Sequence, residues 1–324
     1  MKSKASNSQL IISEDGTLYH IHLKKSDNVP PNILIVGADS RVDEIASHFD
    51  EINFSHGNPK RSEFYTVAGT YKSIPITAMS IGIGTGPMDI AMNELHALFE
   101  YDHETDSWTK NRPNVNIIRV GTCGTSLTKT PVGALAISSY AIGLDNLGVY
   151  YPSTERKSDV AKKLEIKFLE TPLGKINPAS YCSDAPFKVV SQLIQSAEGC
   201  GESIINLSTG ITTASPGFFG PEGRSIGEIK AVMSQEDFVS AVQSFNFQGV
   251  LKIENHEMET SAFFRLGHEH LGYNVGAICL VVDNLATGEV LTDSNETKKR
   301  MDICIRTALD TLVALSPKPK LRLI

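Results

Sequence analysis

Two β-type runs near the N-terminus are each followed by glycine and precede a segment whose apolar residues recur at helical spacing. Residues 32–36 precede the helical segment 42–49, and residues 75–81 precede the helical segment 88–101. The first run is apolar without alternation, which is typical of a strand buried on both faces. Because strand and helix patterns continue to alternate along the chain, the sequence predicts an α/β fold with a largely parallel or mixed sheet.

The same patterns predict the remaining elements. Two β-type patches lie within residues 10–23. Further strands are expected at 63–70, 117–120, 134–142, 203–214, 250–253 and 275–282. Further helices are expected at 184–197, 234–245 and 293–315.

The composition is that of an ordinary globular chain. Its 324 residues are 41% hydrophobic and 21% charged, which is enough to bury a large core. Two domains would fit this length, but α/β chains of this size often form one. We therefore expect a single domain over residues 1–324, with residues 1–10 and 316–324 as loose tails.

Charge and cysteine usage exclude several classes of protein. The net charge of −7 and the absence of a Lys/Arg block argue against nucleic-acid binding. No apolar stretch approaches the roughly 20 residues that span a bilayer, and the polar N-terminus does not resemble a secretory signal. The five cysteines are scattered and are not spaced as metal ligands. The expectation is a cytoplasmic protein with reduced thiols, no metal site and no membrane partner.

The apolar run at residues 117–120 carries an arginine and stops at a glycine-rich stretch. Arg119 is followed by Gly121, Thr122, Cys123 and Gly124. Glycines at a strand end permit a sharp turn that brings backbone N–H groups close to a ligand. The arginine fork matches phosphate or carboxylate oxygens, and a threonine hydroxyl adds a donor. The alternative is an edge strand with an outward arginine and an ordinary glycine turn.

A second candidate anion site follows residues 32–36. Gly37 is followed by Asp39 or Ser40 as a helix N-cap, an arrangement that favours anions at the helix start. Arg41 has the wrong charge for the positive end of the helix dipole. It therefore either faces solvent or is held there for a ligand.

Later segments place apolar rings beside charged groups. The loop 215–224 contains three glycines and two prolines together with Phe218, Glu222 and Arg224. Such a mixture suits a small-molecule pocket, although a loop phenylalanine often only fills the core. The acidic stretch at 257–259 begins an amphipathic helix, where acids are also favoured simply by the helix dipole.

Four blocks, in their order and spacing, resemble the nucleoside phosphorylase superfamily, and among its members the uridine phosphorylases most. They are Gly37-x-x-x-Arg41, Gly82-Ile-Gly84, Arg119-x-Gly-Thr-x-Gly124 and Glu257-Met-Glu259. The resemblance spans about residues 20–314. It implies a single α/β/α domain with a central distorted mixed sheet. It also implies reversible phosphorolysis, in which uridine and phosphate give uracil and ribose 1-phosphate without a cofactor, phosphate being a co-substrate.

The resemblance also assigns roles to residues. Arg119, Glu259 and Arg224 would be catalytic. Phosphate would be held by Gly37, Arg41, Arg61, Arg119 and Thr122. Ribose would be held by His20, Met258 and Glu259. The base would be lined by Cys123, Gly124, Phe218, Glu222, Arg224, His256 and Glu257. A homo-oligomer, either a dimer or a hexamer of dimers, would share its active sites, since His20 resembles a family histidine that reaches a neighbouring subunit's sugar.

Three departures from the uridine phosphorylase pattern leave alternatives open. Glu222 stands where a glutamine usually precedes Arg224 by two residues. Asp283 resembles the general acid that purine phosphorylases direct at N7. Arg61 is one residue further from Glu63 than the usual neighbour-subunit arginine. The runner-up is a purine nucleoside phosphorylase; a nucleosidase that uses water and a non-catalytic nucleoside-binding protein are less favoured.

Overall fold

The computed structural model describes residues 8–58, 61–203 and 206–317, and within these residues most strands join one mixed sheet. The strands are β1 (Asn32–Val36), β2 (Glu51–Asn58), β3 (Arg61–Tyr71), β4 (Ile74–Ser80), β5 (Tyr101–Asp102), β6 (Ser107–Trp108), β7 (Asn116–Thr125), β8 (Leu135–Gly143), β9 (Tyr181–Asp184), β10 (Leu207–Ala214), β11 (Ile253–Glu257), β12 (Asn274–Asn284) and β13 (Glu289–Val290). The helices are α1 (Asp39–Ala46), α2 (Thr85–Glu100), α3 (Asp159–Leu169), α4 (Pro172–Ile176), α5 (Phe187–Gly199), α6 (Gln235–Ser244), α7 (Thr260–Phe264) and α8 (Ser294–Leu315). A π-helical turn, Arg265–His270, continues α7.

The sheet has eleven strands, ten of them in the order β13-β12-β8-β10-β11-β7-β1-β4-β3-β2, and β9 pairs with β8 at one side. An additional parallel pairing of β12 with β7 closes the five strands β7, β12, β8, β10 and β11 into a ring. β1 pairs in parallel with both β4 and β7, so that β12, β7, β1 and β4 run in the same direction. The predicted α/β fold with a mixed central sheet is confirmed, and the ring accounts for its distortion.

Burial follows the apolar patterns of the sequence. Every residue of β1 is buried, as its unbroken apolar run predicts. Helices α5 and α8 pack against each other and against β12. A second core lies where α3 and α6 meet β10, and it includes Phe168, Phe238 and Phe245. Because β1, β4, β7 and β12 run in the same direction, their carboxyl ends meet at one edge of the sheet. Ligands bind at this edge in open α/β sheets.

The prediction of a sharp glycine turn after residue 120 is wrong. β7 continues to Thr125 and passes through both Gly121 and Gly124. Glycine is required at these two positions because a side chain would not fit there, and not because the backbone turns. A Cβ at Gly121 would lie 2.6 Å from Arg119 Nη1, and one at Gly124 would lie 2.3 Å from Cε1 of His256.

Other boundaries also differ from the predictions. Residues 10–23 form only one isolated bridge, between Ile12 and Leu18. The N-cap position of α1 is Ala38, whose methyl group cannot cap the helix, and not the predicted Asp39 or Ser40, which lie within α1. The Asp39 carboxylate accepts the Ser80 hydroxyl instead. The strand expected at 250–253 begins only at its last residue, and the helix expected from 184 begins three residues later, since 184 ends β9.

Two predictions fall wholly or partly on residues that are not described. Of the predicted tails, residues 1–7 and 318–324 lie outside the described residues. Arg61 begins β3, but its side chain also lies outside them, so the prediction of a phosphate contact there stays a prediction. Among the helices within the described ranges, none combines the length and apolar character that crossing a bilayer requires.

Candidate active site

A cavity of about 350 Å³ opens at the carboxyl ends of β1, β4, β7, β11 and β12. Most of the predicted site residues line it: Gly37, Arg41, Arg119, Thr122, Cys123, Gly124, Phe218, Glu222, Arg224, His256, Glu257, Met258, Glu259 and Asp283. Four further lining residues, Gly82, Ile83, Gly121 and Val282, were not among the predicted site residues. Ile83 lies inside the Gly82-Ile-Gly84 block, so that block could have identified it as a site residue from the sequence.

At the centre of the cavity, Arg119 lies between two carboxylates. Its Nη2 is 3.0 Å from Glu257 Oε2 and also donates a hydrogen bond to Glu259. Its Nη1 donates to the Cys279 sulfur at 3.0 Å. Burial opposes the charge, but the two carboxylates outweigh it and raise the pKa of Arg119 well above its usual value. The guanidinium is therefore a fixed cation in the cavity wall.

The acidic stretch 257–259 is held by its own backbone. The Glu257 carboxylate accepts the N–H groups of Glu259 and Thr260, each at 3.0 Å. Burial raises the pKa of Glu257; Arg119 opposes this rise and the neighbouring Glu259 adds to it. Glu257 and Glu259 share one guanidinium and offer further acceptor oxygens, so this wall suits hydroxyl donors such as those of a sugar.

Glu259 also joins two of the sequence blocks. Its Oε1 accepts the backbone N–H of Gly84 at 2.5 Å. Gly84 has φ +98°, a conformation in which only glycine is unstrained. The Gly82-Ile-Gly84 loop thereby fixes Oε1 of Glu259, while Arg119 fixes Oε2.

Arg41 and Gly37 lie at the end of the cavity near α1. Gly37 approaches the Gly82 carbonyl so closely that a Cβ there would lie 3.3 Å from that oxygen. The Arg41 side chain lines the cavity, and its Nε is buried with no hydrogen-bond partner among the described residues. Of the two alternatives that the sequence left open for Arg41, this placement favours a residue held for a ligand.

At the opposite end, Arg224 connects two more acids. Its Nη2 donates to Glu222 Oε2 and to Asp283 Oδ2, both at 2.8 Å, and its guanidinium carbon lies 4.1 Å from the centre of the Phe218 ring. Glu222 also lies 3.5 Å from Nδ1 of His256. Burial alone would raise the pKa of Glu222, but His256 and Arg224 outweigh it, so that the pKa lies below 4.5. This end of the cavity therefore offers a carboxylate acceptor next to a guanidinium donor.

His20 lies outside this cavity. Its Nδ1 is 2.5 Å from Oε1 of Glu94 on α2, and its backbone N–H donates to Oε2 of Glu94 at 3.0 Å. The imidazole is half-buried. The structure therefore does not bring His20 together with the other predicted ribose-binding residues of the same chain. No cluster of His, Cys, Asp or Glu within the described ranges is arranged to hold a metal ion.

Comparison with known proteins extends these observations. The family model described as the phosphorylase superfamily matches residues 32–315. A uridine phosphorylase of Thermococcus kodakarensis is 26% identical over 277 residues, which are 86% of this chain and 81% of that protein. A DeoD-type purine nucleoside phosphorylase of Exiguobacterium sp. is 26% identical over 288 residues, 89% of this chain and 95% of that one.

A solved structure is similar over nearly the whole chain. It is a Trypanosoma brucei nucleoside phosphorylase, described as showing uridine phosphorylase activity. The TM-score is 0.83 at 30% identity, over 94% of this chain and 99% of the other. The extent of both matches confirms the family that the four sequence blocks predicted. The chain belongs to the phosphorylase superfamily, as an enzyme of its nucleoside phosphorylase family.

Proposed function

We propose that this enzyme is a uridine phosphorylase, which converts uridine and phosphate into uracil and ribose 1-phosphate. The observation that carries the proposal is the position of Arg224, which donates to both Glu222 and Asp283 at the base end of the cavity. The similar proteins include both a uridine phosphorylase and a purine nucleoside phosphorylase, so the argument for uracil as the base depends on these three residues.

Phosphate would lie where Arg41, Gly37 and Thr122 meet Arg119. Two arginines in the wall of one cavity suit a dianion, because a guanidinium donates charge-assisted hydrogen bonds to phosphate oxygens. Water as the nucleophile would need neither arginine, which argues against a nucleosidase. Phosphate serves as a co-substrate, and the proposal includes no cofactor.

Attack of a phosphate oxygen forms the C1′–O bond while the C1′–N1 bond breaks, and the electron pair of that bond stays on the base. The sugar becomes oxocarbenium-like and gains positive charge as the bond breaks. Glu259 would accept hydrogen bonds from the 2′- and 3′-hydroxyls, which strengthen as charge develops, with Met258 packing beside the sugar. This role requires charge development, and for that reason we favour an enzyme over a non-catalytic nucleoside-binding protein.

The base end fits uracil. Glu222, ionised because its pKa is lowered, would accept the N3–H group. Arg224 would donate to O4 and stabilise the negative charge that the departing base gains. Asp283 Oδ2 accepts a hydrogen bond from Arg224, so this carboxylate can orient the arginine at the base. In the purine alternative its other oxygen, Oδ1, would have to reach N7.

Active sites would be shared between subunits of a homo-oligomer. His20 lies outside the cavity of its own chain and against Glu94 on α2. In this arrangement it is available to a second copy instead, to contact the sugar 5′-hydroxyl there, with Arg61 contributing to the phosphate site. The proposal therefore requires at least a dimer.

The direct test is base release from uridine, thymidine, inosine and adenosine, measured by chromatography with and without phosphate. We expect uracil and ribose 1-phosphate from uridine, and no release in phosphate-free buffer. Undiminished release without phosphate would indicate a nucleosidase. Faster turnover of inosine than of uridine would indicate a purine enzyme, and tight binding without turnover would indicate a binding protein.

A further inference from the structure

A buried carboxylate outside the cavity is tied to the helix that follows the acidic stretch 257–259. Asp145 is 3% exposed, lies just after β8 and does not line the cavity. Its Oδ2 accepts the Ser261 hydroxyl at 2.8 Å, and its Oδ1 accepts the Leu147 N–H at 2.8 Å. The Tyr181 hydroxyl donates to the same carboxylate, 3.0 Å from Oδ1 and 3.1 Å from Oδ2. Both oxygens of this carboxylate are thus engaged.

The tyrosine that contacts Asp145 is itself closely packed. A Cβ at Gly143 or at Gly148 would lie 2.4 Å from the Tyr181 ring, so these two glycines let the backbone pack directly against it. The Arg265 guanidinium carbon lies 4.9 Å from the ring centre. Because the backbone packs directly against this ring, its hydroxyl is well placed to hold the Asp145 carboxylate in one orientation.

Ser261 connects this buried group to the sugar end of the cavity. It is the second residue of α7, and Glu259 is the N-cap position of the same helix. The first turn of α7 therefore has two supports: the Glu257 carboxylate accepts the Thr260 N–H, and the Asp145 carboxylate accepts the Ser261 hydroxyl. We expect loss of the second support to shift the turn, and with it the Glu259 backbone from which the carboxylate reaches Arg119 and Gly84.

We propose that Asp145, held by Tyr181, is a positioning residue that acts through Ser261 to aim Glu259 at the ribose. This inference rests on the proposed phosphorolysis, in which Glu259 contacts the sugar. A displacement of about 1 Å in a group at the reacting centre can cost up to about 10²-fold in rate. Asp145 itself touches neither substrate, so its effect should appear in turnover and not in phosphate binding.

The test is a double-mutant cycle with Ser261→Ala and Glu259→Gln, assayed with uridine and phosphate. In the otherwise unchanged enzyme we expect Ser261→Ala to lower kcat about tenfold or more, with the KM for phosphate within about twofold. In the Glu259→Gln background the same change should lower kcat by less than about twofold, because the group it aims is already altered. Equal losses in both backgrounds would overturn the inference and indicate general structural damage.

Controls separate folding from positioning. Ser208→Ala removes another buried hydroxyl that donates to a carboxylate at 2.8 Å, that of Glu254, and should leave kcat unchanged. If Ser261→Ala does not fold, as judged by its melting temperature, Asp145→Asn enters the same cycle. Wild-type enzyme inactive on all four nucleosides would end the proposed function and this inference together. An active wild type with additive losses would end only the inference.

Discussion

The Arg224 guanidinium lies 2.8 Å from the Asp283 carboxylate, although the two residues are 59 positions apart in the sequence. The same nitrogen donates to Glu222, so one arginine is shared by two acids. Asp283 therefore serves as an anchor for Arg224 in the proposed uridine site. The same carboxylate would be a general acid in a purine enzyme, which makes it the residue that best separates the two functions.

Asp283→Asn should change uridine turnover by less than about tenfold, because the amide oxygen can still accept from Arg224. Removal of a general acid would instead cost about 10²–10⁴-fold. Steady-state rates on uridine and inosine measure the difference. Inosine turnover that exceeds uridine turnover in the wild type and collapses in Asp283→Asn would contradict the uridine proposal.

Glu222→Gln should keep or raise kcat/KM for uridine. The amide oxygen of the glutamine can still accept N3–H. Glutamine is also the residue that uridine phosphorylases, which this chain resembles, usually carry at this position. A large loss would mean that the charge of Glu222 is needed to hold Arg224.

The difference in stability between the wild type and Glu222→Gln should depend on pH in a definite direction. The folded-state pKa of Glu222 lies below its ordinary value of 4.5. A depressed carboxyl pKa stabilises the fold above the ordinary value, and this contribution is lost as the pH falls through the lowered one. The free energy of unfolding of the wild type, compared with Glu222→Gln in urea titrations, should therefore differ by a constant amount above pH 4.5 and by less below it. Glu228→Gln, a change at an exposed glutamate that also lies between β10 and α6, is the control and should show no such trend.

Arg41→Ala should raise the KM for phosphate by about 10- to 100-fold, the worth of one or two charge-assisted hydrogen bonds. Its Nε has no partner among the described residues, so the change should cost little stability. Arg306→Ala, which removes a surface arginine paired with Asp302, is the matched control. An unchanged KM for phosphate in Arg41→Ala would place the anion elsewhere.

Much of the fold was predictable because local patterns dictate it. The apolar run of β1 predicts a buried strand. The Ser-x-x-Asp spacing at residues 234–237 predicts a helix start, and Ser234 does cap α6 by accepting the Asp237 N–H. β2 was missed because it lies at the sheet edge, where exposure permits a polar sequence without alternation. The continuation of β7 was missed because it depends on pairing with β12, a strand distant in the sequence that runs beside β7 as far as Thr125.

The composition of the site was predictable for a different reason. Three of the four blocks lie at or just after the ends of β1, β4 and β11, and the third block in sequence lies within β7. Parallel strands bring their carboxyl ends to one edge. The contacts within the site were not predictable, since the pairing of Arg224 with Asp283 and of Ser261 with Asp145 depends on the tertiary arrangement of separate elements. Tyr181 gave no local signal, because its role comes from two glycines 33 and 38 residues before it.

His20→Ala and Glu259→Ala proteins, each inactive, should regain activity when they are mixed and reassembled. If His20 serves the neighbouring subunit, half of the dimers in an equal mixture are hybrids with one intact site, which predicts about one quarter of wild-type activity. Uridine turnover before and after reassembly measures this recovery. Confirmed subunit exchange without recovery would show that His20 acts in its own subunit or not at all.

Glu259→Gln tests the residue on which the chemistry depends most. The glutamine oxygen can still accept the Gly84 N–H, and Arg119 keeps Glu257 as its partner, so the shape of the cavity is retained. Only the charge that supports the oxocarbenium-like sugar is lost. We expect kcat and kcat/KM to fall together by about 10²-fold, because the interaction is made mainly in the transition state. Glu254→Gln, a change at another buried acid of β11, is the control for folding and should leave both parameters unchanged. A change confined to KM would make Glu259 a binding residue, and the stabilisation of the sugar cation would then have to come from phosphate alone.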